Sequence, residues 1–267
     1  MKAADIMSRE IPVIDKNQPI LAALSIMKKY EIDYILVVEK GQISGVFTYR
    51  DLLERLGVQR MRMAEPSRLY ISGVMKDLRI QFSPEDSLRK IALAMLSERQ
   101  YCVPITKEGE LKGVISRWSF LRALEEFSNI SVSSASRKIP HPLSYTDRVI
   151  HARKVLLDND LCILPVVGES EKLVGLVSEE DLASAFMDFQ RFVSWRHQKA
   201  QIKYFTVADI LRRETRFFPE DTLVSEASQQ LLRERLYGLP VLSADGTIIG
   251  VFSLNEALTL AAQSFPE

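Results

Sequence analysis

Tyr34-Ile35-Leu36-Val37-Val38, a turn at Lys40-Gly41, then Ile43-Ser44-Gly45-Val46-Phe47-Thr48-Tyr49-Arg50-Asp51: this stretch recurs three more times, and its recurrence organises the whole chain. The second copy is Tyr101-Cys102-Val103-Pro104-Ile105 with Leu111-Lys112-Gly113-Val114-Ile115-Ser116-Arg117-Trp118-Ser119. The third is Cys162-Ile163-Leu164-Pro165-Val166 with Leu173-Val174-Gly175-Leu176-Val177-Ser178-Glu179-Glu180-Asp181. The fourth is Tyr237-Gly238-Leu239-Pro240-Val241 with Ile248-Ile249-Gly250-Val251-Phe252-Ser253-Leu254-Asn255-Glu256. From each glycine a hydroxyl lies three residues on and a polar residue six on, without drift. A fixed pattern at this interval is the mark of a repeat architecture, with about sixty residues in each unit plus a linker.

Outward from the hairpin, the period changes. Before it, Ile20, Leu24 and Met27 recur at helical spacing, as do Leu88, Ile91, Ala92 and Met95, and Val224, Ala227 and Leu231. Pro19 suits a first helical turn, and Ser87 or Asp86 suits a cap. Before that helix lies a short apolar segment: Pro12-Val13-Ile14, Ile80-Gln81-Phe82, Pro142-Leu143, Phe217-Phe218. After the hairpin, Leu52, Leu53 and Leu56, and Phe120, Leu121 and Leu124, predict a closing helix. Each repeat therefore reads strand, helix, strand, strand, helix, an α/β (α+β) unit. One such unit is too small for a robust core, so pairing is expected. The repeats span 1–60, 68–128, 133–190 and 204–264. Pro84-Glu85-Asp86-Ser87-Leu88 returns as Pro219-Glu220-Asp221-Thr222-Leu223, which suggests that the doubled unit is itself a pair of repeats.

Composition bounds the class. The 267 residues carry 35 basic and 35 acidic side chains, and 46% are hydrophobic, which excludes a disordered chain. Eleven glycines and two cysteines exclude collagen-like and disulfide-dense classes. Zero net charge disfavours a protein devoted to DNA. Cys102 and Cys162 sit in apolar strand-like runs and read as small buried hydrophobes of a reducing cytosol. No run is long and apolar enough for a membrane span, and the N-terminus is no signal peptide. A cytoplasmic protein is expected.

With those residues in view, the pattern resembles the CBS domain over nearly the whole chain. The resemblance rests on the element order, the apolar-Pro-apolar strand, and Gly-apolar-apolar-Thr/Ser-x-x-Asp opening the last helix. It implies four CBS repeats paired into two tandem Bateman modules, with clefts that take AMP, ADP, ATP, S-adenosylmethionine or related adenosine ligands. The physics of the motif agrees. A hydroxyl and free N–H groups at a helix N-terminus attract phosphate. An acid one turn later suits the vicinal hydroxyls of a ribose, as in dinucleotide-binding folds.

The four copies are unequal. Thr48 with Asp51 and Ser178 with Asp181 keep the full pattern. Ser116 is followed by Ser119 rather than an acid, and Ser253 by the longer Glu256. Sites are expected first at repeats 1 and 3, then at 4, with repeat 2 the weakest. Val13, Ile35, Val37, Ile163 and Pro165 are read as apolar walls. Arg9, Lys76, Arg137 with Lys138, and Arg212 with Arg213 lie in the segments leading into each repeat, where the family's basic residues reach phosphates. Arg50 and Arg117, between hydroxyl and acid, give the first pair an expected preference for phosphate-rich adenylates. Glu179 and Glu180 leave the second pair a ligand of low negative charge, or none. The alternative reading of each motif is a helix cap with no ligand role.

No catalytic set emerges. His141, His151 and His197 form no H-E-x-x-H arrangement, and no Walker A loop, dinucleotide fingerprint, serine elbow or CxxC pair is present. The expectation is a non-enzymatic adenosine-nucleotide sensor with no catalytic cofactor, acting on a separate protein target and self-associating as a homodimer through exposed helices. Two alternatives stand beside it. One is an RNA-associated protein using the Arg-rich linker from Arg55 to Arg68 and the basic, aromatic run Arg191 to Tyr204. The other is a scaffold with vestigial sites.

Overall fold

The computed structural model describes residues 1–56, 69–127 and 129–266. Residues 57–68 of the Arg-rich linker from Arg55 to Arg68, and the repeat boundaries expected at 60, 68 and 128, lie outside the described residues. The chain is a mixed α/β protein with four copies of the expected unit.

In repeat 1, a short helix α1 (Ala3–Ile6) precedes strand β1 (Val13–Asp15), helix α2 (Ile20–Tyr30), hairpin β2 (Tyr34–Glu39) and β3 (Gln42–Thr48), and helix α3 (Tyr49–Leu56). Repeat 2 follows with β4 (Lys76–Asp77), α4 (Leu88–Ser97), β5 (Cys102–Lys107), β6 (Glu110–Ser116) and α5 (Arg117–Ala123). Repeat 3 comprises α6 (Val132–Ala135), β7 (Leu143–Ser144), α7 (Val149–Asp158), β8 (Ile163–Val167), β9 (Leu173–Ser178) and α8 (Glu179–Phe192). A further helix α9 (Trp195–Gln201) leads to repeat 4: β10 (Phe218–Pro219), α10 (Val224–Glu234), β11 (Gly238–Leu242), β12 (Ile248–Ser253) and α11 (Leu254–Ser264).

Local chemistry explains these elements. Ser87 caps α4 by accepting the Lys90 N–H at 3.3 Å, and Leu88, Ile91, Ala92 and Met95 on its inner face are fully buried. Pro19 stands at the N-cap of α2 rather than inside its first turn. In the first hairpin Lys40 and Gly41 both take positive φ, 49° and 79°, the geometry that matches strand twist in a two-residue turn. The leading strand joins its hairpin in parallel, Val13 opposite Leu36 in repeat 1 and Leu143 opposite Val166 in repeat 3. In repeat 2 it shortens to a single bridge between Phe82 and Ile105. Cys102 and Cys162 are free and buried.

The chain divides into two compact units, and each joins alternate repeats. One unit holds residues 1–11, 78–140 and 216–267, hence repeats 2 and 4. The other holds 12–77 and 141–215, hence repeats 1 and 3. The first unit thus brings together the two repeats that share the Pro-Glu-Asp-Ser/Thr-Leu sequence. Within it α11 packs on α4 and α5; within the second, α3 packs on α8.

The lead-in segments are exchanged. Ser8 bridges Val114 of repeat 2, Lys76 pairs with Val46 of repeat 1, Arg137 bridges Val251 of repeat 4, and Arg212 bridges Leu176 of repeat 3. In every case the bridge falls beside the repeat's glycine. A Cβ at Gly45 would lie 2.6 Å from the Lys76 carbonyl oxygen, at Gly113 2.9 Å from that of Ser8, and at Gly250 2.7 Å from that of Arg137. The fixed glycine is thus required by close backbone approach. Gly250→Ala is expected to cost about 1–3 kcal/mol through overpacking. That corresponds to a melting temperature lower by about 2–4 °C per kcal/mol. Gly73→Ala, where a Cβ meets nothing within 4 Å, is the control and should melt with the native chain. Thermal melting monitored by circular dichroism compares the two.

Candidate functional site

The exchange creates the same constellation three times. In repeat 1, Asp51 Oδ2 accepts the Thr48 N–H at 2.9 Å and the Thr48 hydroxyl at 2.7 Å, while Thr48 Oγ1 accepts the Asp51 N–H at 3.1 Å. The outer oxygen, Oδ1, is held by Lys76 Nζ at 2.9 Å. Lys76 also reaches Glu54 at 3.1 Å. In repeat 3, Asp181 Oδ2 takes the Ser178 N–H at 2.9 Å and hydroxyl at 2.7 Å, and Arg212 Nη2 donates to Oδ1 at 2.8 Å. In repeat 4, the Ser253 hydroxyl donates to Glu256 Oε2 and Arg137 Nε donates to Oε1 at 2.8 Å. The hydroxyl and acid do cap the helix, as the alternative reading holds. The outer carboxylate oxygen, with a cation on it, goes beyond a cap.

Burial sets the electrostatics. Asp51 is 3% exposed and Glu256 4%. Desolvation raises the Asp51 pKa above its ordinary value, against the opposing pull of Lys76 and the Thr48 hydroxyl. Glu256 is raised for the same reason, against Ser253 and Arg137. Burial pulls the Lys76 ammonium down, but Asp51 and Glu54 together carry it above its ordinary value.

Repeat 2 departs at both positions. The Ser116 N–H donates to Ser119 Oγ at 3.2 Å in place of an acid. Opposite Val114 the lead-in segment presents Ser8, so the register places Ser8, not Arg9, where the other repeats carry a base. Arg9 is exposed one residue further on. This corrects the reading that placed Arg9 with Lys76, Arg137 and Arg212.

Arg50 and Arg117 also fall elsewhere than expected. Arg50 is 5% exposed and lies where repeat 1 packs on repeat 3. Its Nη2 pairs with Glu179 Oε1 at 2.7 Å and donates to the Leu161 carbonyl at 2.6 Å, and Nη1 meets Asp160 at 3.0 Å. Arg117, 1% exposed, donates to Asn255 Oδ1 at 2.8 Å and stacks its guanidinium 3.6 Å over the Tyr101 ring. Both guanidiniums join repeats and are buried there. The expected apolar walls divide likewise. Ile35, Val37, Ile163 and Pro165 are buried core residues, whereas Val13 is 46% exposed at the start of β1. His141, His151 and His197 are exposed. Among the described residues no group of three metal-ligating side chains is placed to hold an ion, and no helix is long and apolar enough to cross a membrane.

The repeats, their exchange and the hydroxyl–acid motif define a class. A family model described as the CBS domain matches residues 3–58, 71–126, 132–188 and 207–262, and the chain belongs to that family. The CBS domain-containing protein YhcV of Bacillus subtilis is 29% identical over 137 residues, 51% of this chain and 94% of that protein. The gamma-3 subunit of 5′-AMP-activated protein kinase from Sus scrofa is 23% identical over 284 residues, covering 94% of this chain and 49% of the subunit. The solved structure of protein MJ1225 from Methanocaldococcus jannaschii superimposes with a TM-score of 0.79 at 18% identity, over 97% of this chain and 99% of that one. That likeness establishes the tandem Bateman-type fold.

Proposed function

We propose that this chain is a non-catalytic sensor of adenosine nucleotides, with sites at repeats 1 and 3 and a further one at repeat 4. The observation that carries the reading is the carboxylate of Asp51, Asp181 or Glu256, fixed at a helix N-terminus by its hydroxyl partner with an outer oxygen toward a cation. Such a carboxylate accepts hydrogen bonds from a ribose diol, and the cation beside it suits a phosphate. A relative matched along nearly the whole chain is a subunit of a kinase activated by AMP, which supports an adenylate over other nucleotides. The sensor works in the cytoplasm. Ligand binding shifts the balance between two arrangements of the repeats, and a separate protein target reads that balance.

Mass spectrometry of small molecules released from the purified full chain, followed by calorimetric titration with AMP, ADP, ATP and S-adenosylmethionine, tests this. The expected result is saturable binding of at least one of them. No binding of any adenosine ligand, together with RNA retention on filters that falls steeply with salt, overturns it in favour of the basic segment 191–204. That segment exposes Phe192 by 75% and Tyr204 by 71%.

A further inference from the structure

The run from Arg191 to Tyr204 carries Arg191, Arg196, Lys199 and Lys203 and no acid. Both its ends meet one cavity of about 370 Å³ within the unit of repeats 1 and 3. Phe192, the last residue of α8, and Phe205, just past the run, line that cavity. Phe205 stacks on Phe189 of α8 with ring centres 5.2 Å apart and planes 18° from parallel, which fixes the return. Gln198 is buried and donates to the Val193 carbonyl at 2.9 Å, which fixes the elbow between α8 and α9. The basic run is therefore held in place. The cavity carries the opposite charge. The described residues that line it include three acids, Asp181, Asp188 and Asp209, and no base. Arg212 holds Asp181, whereas Asp188 and Asp209 are exposed. Phe192 and Tyr204 are the most exposed large apolar side chains among the described residues. Arg191 lies over the Phe192 ring at 5.4 Å and Lys203 over the Tyr204 ring at 4.8 Å. Exposed apolar surface rimmed by charge marks an interaction site.

We propose that this face, the acidic cavity together with the basic run beside it, docks a second copy of the chain. Acid and base lie side by side on one surface, so a twofold axis sets each against its counterpart on the other copy. The charge pattern is complementary to itself, which steers two copies into that register. Phe192 and Tyr204 lose their exposure to water in the dimer, which adds apolar burial to the charge pairing. A nucleic acid fits the same face less well, because the carboxylates beside the bases repel its phosphates. The expected homodimer thereby gains a definite surface, and that surface does not depend on which ligand the repeats take.

An exchange of charges tests this. Three full-length proteins are compared by sedimentation velocity across a concentration series: the native chain, Asp188→Lys, and Lys199→Glu/Lys203→Glu. All three positions are exposed, so circular dichroism melts should match. The native chain should dimerise reversibly. Each variant should self-associate ~10-fold or more weakly, because like charges now face each other across the axis. Mixed in equal amounts, the two variants should recover dimers. The new lysine of one then meets the new glutamates of the other, while the second contact stays native. Recovery on mixing also shows that neither variant has lost its fold. A native chain that stays monomeric throughout overturns the proposal. Variants that dimerise as tightly as the native chain overturn it too, since the interface then lies elsewhere. So do natively folded variants that stay monomeric when mixed. Retention of RNA on filters by a monomeric native chain would give the basic run to a nucleic acid instead.

Discussion

Glu179→Leu is expected to destabilise the full chain by about 3 kcal/mol or more, toward the 3–5 kcal/mol typical of breaking a buried ion pair from one side. The reason is geometric. Glu179 is 1% exposed and receives Arg50, whose Nε also donates to Glu179 Oε1 at 2.8 Å. Without the carboxylate, the guanidinium keeps the Leu161 carbonyl and the exposed Asp160 but loses its buried counter-charge. The companion Arg50→Met/Glu179→Leu removes both charges and fills similar volume, so most of the loss should return. Urea unfolding of the three proteins reads this directly. Recovery in the double variant is the discriminating result. If the double variant is as unstable as the single, the pair acts through packing rather than charge. At the equivalent junction in the other unit, Arg117 Nη1 donates to the amide oxygen of Asn255 where Arg50 meets the carboxylate of Glu179. Asn255→Ala removes one hydrogen bond from a guanidinium rather than a counter-charge, so it should cost less than Glu179→Leu, about 1–3 kcal/mol.

That junction also shows where sequence reading stops. The helices and hairpins were legible because each carries a local period: Leu88, Ile91, Ala92 and Met95 can lie on one face only in a helix. The carboxylate–hydroxyl motif was legible because its members are three residues apart. Arg50 and Glu179 stand 129 positions apart, and nothing local distinguishes an arginine aimed at a ligand from one aimed at another repeat. The lead-in exchange was hidden for a related reason. It consists of short extended bridges with no periodicity, and the fixed glycine announced that something crosses there without saying which strand. The Ser8–Arg9 error is one of register. In an extended segment a one-residue offset turns a side chain to the other face. A base in the right neighbourhood is therefore not a base on the carboxylate.

Asp51→Asn with Asp181→Asn in the full chain is expected to weaken AMP binding by ~10–100-fold, and the origin of that figure is the charge on the acceptor. A hydrogen bond to a charged group contributes roughly 1.5–3 kcal/mol, and each 1.4 kcal/mol is tenfold in affinity. Asparagine keeps the shape and an oxygen for the Thr48 or Ser178 cap, so fold loss is not the main consequence. The pH dependence supplies a second readout with a definite sign. The ionised acid accepts the diol, and burial holds the Asp51 pKa above that of an exposed aspartate. AMP affinity at repeat 1 should therefore decline as pH falls through that raised value, earlier than a solvent-exposed aspartate would dictate. A chain with Asp51→Asn has no proton to take up there, so this limb of its profile should be flat. Titration of AMP at a series of pH values resolves the point: a native-like limb in the Asp51→Asn chain would assign the pH response to another group and remove Asp51 from the ligand.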